Sequence, residues 1–213
     1  MLGGDCSILL GNLLALRRRG RYGLLFLDGH MDFYQPEVEP NGEAASMDLA
    51  LATGRGPALV TDLEGRRPLV RDEDVVALGF RDAEQASAHG SQPLPATVHA
   101  MDLERVRRLG AKNAAREAIA HLNRDGLDGF WIHLDADVVD DAVMPAVDYR
   151  IPDGLGWTEL TAVLHTAMRT GGATGLEVTI FNPRLDPDGR IAGELVSAVA
   201  EGLPPRAPST HHA

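Results

Sequence analysis

Short, continuously apolar runs alternate along this chain with longer stretches in which apolar residues recur every three or four positions. The run at 22–28 is continuously apolar and ends in a carboxylate, which predicts a strand buried on both faces, and 75–80, 96–100, 129–135 and 175–181 read the same way. Helical spacing appears at 7–19, with Ser7 as a cap and Gly20 as a stop, at 102–123, at 158–169 behind a cap-like Thr158, and at 191–201. Strands alternating with helices predict βαβ units and a mainly parallel sheet between two helical layers. In such sheets ligands bind beyond the carboxyl ends of the strands.

Between the elements, 35–46 reads as a polar loop punctuated by Pro36, Pro40 and Gly42. The segment 204–213 reads as a Pro-rich disordered tail, so His211 and His212 are not taken as ligands. Residues 1–203 then form one α/β domain, without repeats or an interdomain linker. The beginning is unusual. Gly3 to Ser7 looks like a strand-to-helix turn, yet only Met1 and Leu2 precede it. A fragment, a start placed too late and a shortened natural variant all fit, and each would leave an edge or face of the sheet bare and lower its stability.

Composition narrows the function. Among 213 residues, 20 Lys and Arg face 31 Asp and Glu, a formal net charge of −11. Such a chain repels nucleic acid and anionic membranes. Hydrophobic residues make up 44% and aromatics only 5%, so the core is aliphatic. One cysteine, Cys6, precludes an intrachain disulfide and suits a reducing cytoplasm. No apolar run approaches the ~20 residues of a membrane span, and the start does not resemble a signal peptide.

Two strands end in acidic clusters. Asp28, His30 and Asp32 fall at alternate positions where the run 22–28 stops, so an extended chain turns them to one side. Asp135 and Asp137 repeat the pattern after 129–135, followed by Asp140 and Asp141. Carboxylates gathered at one sheet edge repel unless cations compensate them, and a mixed oxygen and nitrogen donor set suits manganese or zinc. His133 reads as a buried, hydrogen-bonded histidine. His89, His99, His121 and His165 lack a carboxylate at ligand spacing and read as structural or surface residues.

Five segments in order carry a resemblance: Gly3-Gly4-Asp5-Cys6-Ser7, Asp28-Gly29-His30-Met31-Asp32, Gly79-Phe80-Arg81-Asp82, His133-Leu134-Asp135-Ala136-Asp137-Val138-Val139-Asp140, and Gly175-Leu176-Glu177-Val178-Thr179-Ile180-Phe181-Asn182-Pro183. Together they resemble the signature segments of the arginase/agmatinase ureohydrolases over nearly the whole chain. The resemblance implies an α/β three-layer sandwich of the arginase/deacetylase type, lacking the family's N-terminal strand–helix units. It implies two manganese ions, with zinc possible, bridged by a hydroxide that attacks a guanidinium carbon to release urea and an amine. By position, Asp28 and Asp135 would bridge the ions, Asp32 and Cys6 would complete one site, and His30 and Asp137 the other. Asp32, Asp137 and Glu177 are carried as catalytic candidates, and Asp82 and Glu84 as contacts to the substrate's amino end. A surface salt bridge to Arg81 is the other reading of those two acids. A cytoplasmic homo-oligomer acting on a small cationic guanidino-type substrate is expected.

Four departures bear on that expectation. Cys6 stands where the family usually carries His, either as a ligand that shifts preference toward zinc or as a small buried residue. Ile180 aligns with a substrate-orienting Glu; Glu177, the nearest carboxylate, faces the opposite way on a regular strand. The family's loop His aligns near Ala45, with Glu43 and Asp48 as local acids that either substitute for it or are simply solvated. Asp140-Asp141 and the segment from Pro145 to Asp148 replace a Pro- and Gly-containing segment. Three functions therefore stay open: a dinuclear hydrolase of linear amidines (guanidino or formimidoyl compounds, releasing urea or formamide), a mononuclear zinc amide hydrolase of deacetylase type using Asp28, His30 and Asp135, and a non-catalytic binding subunit.

Overall fold

Five parallel strands in the order β3-β2-β1-β4-β5 form the sheet of the computed structural model, which describes residues 1–203. The tail expected at 204–213 lies outside the described residues. In chain order the elements are α1 (Ile8–Arg17), β1 (Gly23–Leu27), α2 (Asp48–Ala52), α3 (Ala58–Thr61), β2 (Val75–Leu78), α4 (Ala83–Ala88), β3 (His99–Met101), α5 (Leu103–Leu109), α6 (Ala111–Leu122), β4 (Phe130–Asp135), α7 (Trp157–Met168), β5 (Ala173–Thr179) and α8 (Arg190–Gly202).

Alternation along β1 divides the core. Leu24 and Phe26 turn to one face, where Val75 and Ala77 of β2 and Leu9, Leu13 and Leu16 of α1 pack with α2. Leu25 and Leu27 turn to the other, against α6, α7 and α8. On α6 the inward stripe is Ala111, Ala114, Ala115, Ala118, Ile119 and Leu122, spaced at helical period. Its small residues let the helix lie close on β1 and β2. A parallel sheet covered on both faces results, an α/β three-layer sandwich as expected.

The helical stretch at 102–123 is two helices. Gly110 adopts φ 78°, ψ 139°, a conformation open only to glycine, and turns the chain between α5 and α6. Ser7 occupies the cap position of α1, but its side chain makes no capping bond and its hydroxyl donates to Asp5 instead. The cap of α7 is Gly156 rather than Thr158, and its amide donates to the Glu159 carboxylate at 2.9 Å. At the start of the chain, Leu2 forms a parallel bridge with Val178. The Gly3 amide donates to Val178 O and the Ile180 amide to Gly4 O. This pairing fixes the turn that carries Cys6 against the end of β5. No helix among the described residues is long and apolar enough to cross a membrane.

Candidate metal centre

The chain winds outward from β1 through β2 to β3, then returns to β4 on the opposite side of β1. The strand order reverses between β1 and β4, and a crevice opens there beyond the carboxyl ends. Register makes the two acidic clusters meet. Leu27 lies level with Leu134, so Asp28 and Asp135 follow side by side.

Each cluster uses the same local device. The amide of His30 donates to Asp28 Oδ1 at 2.6 Å, and the amide of Asp137 to Asp135 Oδ1 at 2.6 Å. One oxygen of each carboxylate is thereby tied to its own backbone, and the other is left to face the crevice. Asp28 Oδ2 is buried without a hydrogen-bond partner, and Asp135 Oδ2 accepts from Cys6 Sγ at 2.8 Å. Cys6 Sγ also lies 3.2 Å from the Thr179 hydroxyl. His30 Nδ1 meets Asp137 Oδ2 at 2.9 Å, while Asp137 Oδ1 accepts from the Gly29 amide. A Cβ at Gly29 would come within 2.7 Å of Asp137 O, so this crossing needs glycine. Asp32 is held at φ 43°, left-handed backbone that re-aims its side chain after β1.

Potential ligand atoms of Asp28, His30 and Asp32 lie within 4.8 Å of one another, as do those of Cys6, Asp28, His133 and Asp135. All six residues expected to hold metal, Cys6, Asp28, His30, Asp32, Asp135 and Asp137, thus gather around one crevice. Burial and mutual repulsion dominate its electrostatics. Burial, then the neighbouring carboxylates, pushes Asp28 and Asp135 well above the usual carboxylate range, and takes Asp32 to about 7. Burial works against the His30 cation, but Asp137 beside it outweighs this and raises His30 to about 10. The same pairing overcomes burial at Asp137 and holds its carboxyl low. Burial and the surrounding acids keep the Cys6 thiol high. The donors fit divalent cations: an orphaned buried oxygen on Asp28 grouped with further carboxylate, imidazole and thiol donors, with no Lys or Arg among the residues lining the cavity.

Above the cluster lies a cavity of about 260 Å³ whose floor is Cys6, His30, Asp32, Asp135, Asp137 and Ile180. Asp82 lines it while its Oδ1 accepts from the Met31 amide at 2.9 Å. Glu84 does not line it. Glu84 is exposed on α4, and Gln85, one position on, faces the cavity instead. Arg81 pairs with neither acid; it donates to the carbonyls of Asp137, Ile151 and Pro152.

Glu177 also stays away from the cavity. It is fully buried within the sheet, accepting from Asn12 and paired with His133 Nδ1 at 2.7 Å. His133 stacks on Phe26 at 4.6 Å and lies 3.9 Å from Asp28 Oδ2 through Nε2. Glu177 therefore acts on the site through His133, not on a ligand in the cavity. Asp140 accepts from the amides of Ala142 and Gly154, and Asp141 pairs with Arg150, so both organise their loop.

His89, read as a structural or surface residue, is exposed, and it stands at the rim with Nδ1 3.1 Å from the Tyr34 hydroxyl. Tyr149 donates to Glu43 at 2.9 Å across the same rim. Neither tyrosine has a motif, since loop closure alone brings them together. Asp48 is not solvated. It is 0% exposed at the start of α2, behind the floor of the cavity.

Comparison with known proteins agrees with this geometry. A family model described as the arginase family matches residues 1–203. The arginase of Brevibacillus brevis is 30% identical over 203 residues, covering 93% of this chain and 67% of its own. The arginase of Staphylococcus aureus strain MRSA252 is 26% identical over 200 residues, 93% of this chain and 65% of its own. The crystal structure of arginase from Bacillus cereus superposes with a TM-score of 0.82 at 28% identity, over 95% of this chain and 68% of that one. The chain thus spans about two thirds of the length of these relatives.

Proposed function

Because the chain belongs to the arginase family, we propose that it is a metal-dependent hydrolase that cleaves a C–N bond of a linear amidine, a guanidino or formimidoyl compound, releasing urea or formamide. The observation that carries this reading is the convergence of Cys6, His30, Asp32, Asp135 and Asp137 on the floor of an acidic cavity, with the buried Asp28 grouped with them. In this reading Cys6 and Asp32 would hold one divalent ion and His30 and Asp137 the other, with Asp28 and Asp135 as ligands shared between them. Manganese is the expected ion, with zinc the alternative. When bound, the cations supply water ionised near neutral pH and positive charge beside the reacting carbon.

The chain's own residues do the rest. The acidic floor and rim attract a cationic amidinium, and Asp82 accepts from it while anchored on the Met31 amide. Glu39 and Glu43 receive the far end of the substrate, and no lining Lys or Arg is present to take a carboxylate. Amidines with a neutral or cationic tail are therefore favoured over those ending in a carboxylate. Tyr34 and His89 hold an exchangeable proton at the rim for the departing amine. Ile180 gives the site no carboxylate where the resembling enzymes carry one, so orientation falls to Asp82 and the rim.

A mononuclear zinc centre on Asp28, His30 and Asp135 would leave Cys6, Asp32 and Asp137 without a task, whereas two donor clusters sharing Asp28 suit two ions. The test is elemental analysis after reloading with manganese or zinc, joined to assays of urea and formamide release from guanidino and formimidoyl compounds with varied tails. Two ions per chain and release from amine-tailed substrates are expected. Asp28→Asn or Asp135→Asn should lower turnover at least about 1,000-fold, since each removes a ligand proposed to serve both ions. Unchanged turnover in either variant would overturn the assignment. A loaded chain that releases nothing from any amidine would make it a binding subunit.

A further inference from the structure

We propose that Asp48 is an additional metal ligand, forming with Cys6 and Asp32 a thiolate–carboxylate site that favours a thiophilic divalent ion such as zinc. The inference rests on the dinuclear reading above and adds to it a ligand that none of the signature segments contains.

Asp48 is 0% exposed, and neither of its carboxylate oxygens has a hydrogen-bond partner. The neighbouring Leu49 amide favours the ionised form but makes no hydrogen bond to it. An ionised carboxylate buried without a partner is among the costliest groups a fold can contain. Protonation does not resolve this, because the resulting O–H would itself lack an acceptor. The charged groups acting on Asp48 are Asp32, Glu177 and Asp135, all acids, and burial and these neighbours push it well above the usual carboxylate range. What satisfies both oxygens is a cation.

Geometry says where the cation would sit. One ligand atom each from Cys6, Asp32 and Asp48 lies within 4.8 Å of the other two. Cys6 arrives on the turn fixed against β5, Asp32 on the left-handed residue after β1, and Asp48 on the first turn of α2, which packs on α1. Asp135 Oδ2, 2.8 Å from the sulfur, supplies a fourth donor. A sulfur in place of an imidazole raises affinity for zinc and other soft ions, and its anionic form adds charge to the site. Asp48 adds a second charge. The site built on Cys6 should therefore hold its ion far more tightly than the site built on His30 and Asp137.

The experiment uses the full chain, stripped with a chelator and titrated with Zn²⁺ and with Co²⁺. Binding is followed by elemental analysis and by the near-ultraviolet thiolate-to-cobalt charge-transfer band, which reports the Cys6 site alone. Wild-type protein should bind two ions, one with the thiolate signal and slow to leave. Asp48→Asn should weaken the thiolate-reporting site at least 100-fold and leave the other ion in place. Thermal melts give a second readout: Asp48→Asn should lower the melting temperature of the loaded protein, by removing a ligand, and should not lower that of the stripped protein, in which it removes a buried acid surrounded by other acids. If Asp48→Asn does not fold, Asp48→Ser is read by the same signals. Two ions bound with unchanged affinity in a folded variant, or a melting temperature lowered in both states, would overturn the role of Asp48 alone. No metal bound by wild type would overturn the dinuclear reading and this inference together.

Discussion

Ile180 shows how much a single position can carry. It sits at φ 67°, left-handed backbone that is especially costly for a β-branched side chain, and it lines the cavity beside Cys6. The fold tolerates this because the Ile180 amide is anchored on Gly4 O and the chain must turn there to leave β5. Ile180→Glu removes the branching and places a carboxylate facing the substrate. A hydrogen bond to a charged group contributes about 1.5–3 kcal/mol, so kcat/KM for a guanidino substrate should rise at least about tenfold with no loss in melting temperature. An unchanged kcat/KM in a folded variant would show that orientation comes from elsewhere. The acids of the floor give a pH dependence of definite sign. In the fold Asp32 titrates at about 7 rather than 3.8, and His30 at about 10 rather than 6.5. Both bind protons more tightly folded than unfolded. The stabilisation from Asp32 is complete below about pH 4 and lost as pH rises through 7, and that from His30 is complete below 6.5 and lost through 10. Asp137, held low, acts in the opposite sense only below its ordinary value near 3.8. The melting temperature of chelated protein should therefore fall between pH 5 and pH 8. Manganese added at pH 8 should restore it and release protons; a melting temperature that climbs with pH would contradict the assignment.

At the level of elements, the outer strands β3 and β5, whose runs carry His99 and Glu177, are displaced from 96–100 and 175–181 by about two residues and are only partly buried. The central strands were the legible part, because the apolar runs at 22–28, 75–80 and 129–135 have few alternatives to a buried parallel sheet. Their ends were legible too, since a carboxylate closing such a run is conspicuous, and the two acidic motifs led to the crevice between β1 and β4. The long helical pattern at 102–123 hid its own break. Gly110 falls between two stretches that each keep a helical stripe, and only its backbone conformation separates α5 from α6. Glu84 came from the resemblance as a contact to the substrate's amino end, whereas the turn of α4 puts Gln85 on the cavity instead. Asp48 stands out in sequence only as an acid near the position of the absent loop His, and His89 and Tyr149 carry no local signal, as each reaches its place through contacts distant in sequence. Gly110 also gives a test. A Cβ there would meet nothing within 4 Å, so Gly110→Ala isolates backbone strain. It should cost about 1–3 kcal/mol in urea denaturation and leave metal content unchanged. A neutral substitution would mean that the chain re-forms a continuous helix.

Over the whole molecule, charge works toward a single end. A net charge of −11 is a burden on folding, since like charges in a compact chain repel. Part of it is neutralised locally. Asp74 is paired with Arg21 and Arg124, and Asp72 with Arg55, away from the cavity. Around the cavity the acids Glu39, Glu43 and Asp82 are left without an Arg or Lys lining the same space. The excess negative field is therefore concentrated where the proposed substrate enters, and a cleft of one sign focuses field lines and speeds capture of an opposite charge. Bound divalent ions would cancel much of the charge on the floor, but the rim acids lie outside that set and continue to act on an approaching cation. Salt screens such a field, with a Debye length of about 10 Å at 0.1 M and about 30 Å at 0.01 M. Raising NaCl from 0.01 to 0.3 M should thus increase KM for an amine-tailed guanidino substrate at least about threefold, while kcat, set after capture, holds. A neutral-tailed guanidino substrate should respond less, because one positive charge rather than two meets the rim. Equal salt dependence for both substrates would place recognition at the floor alone and leave Glu39 and Glu43 without a part in selecting the tail.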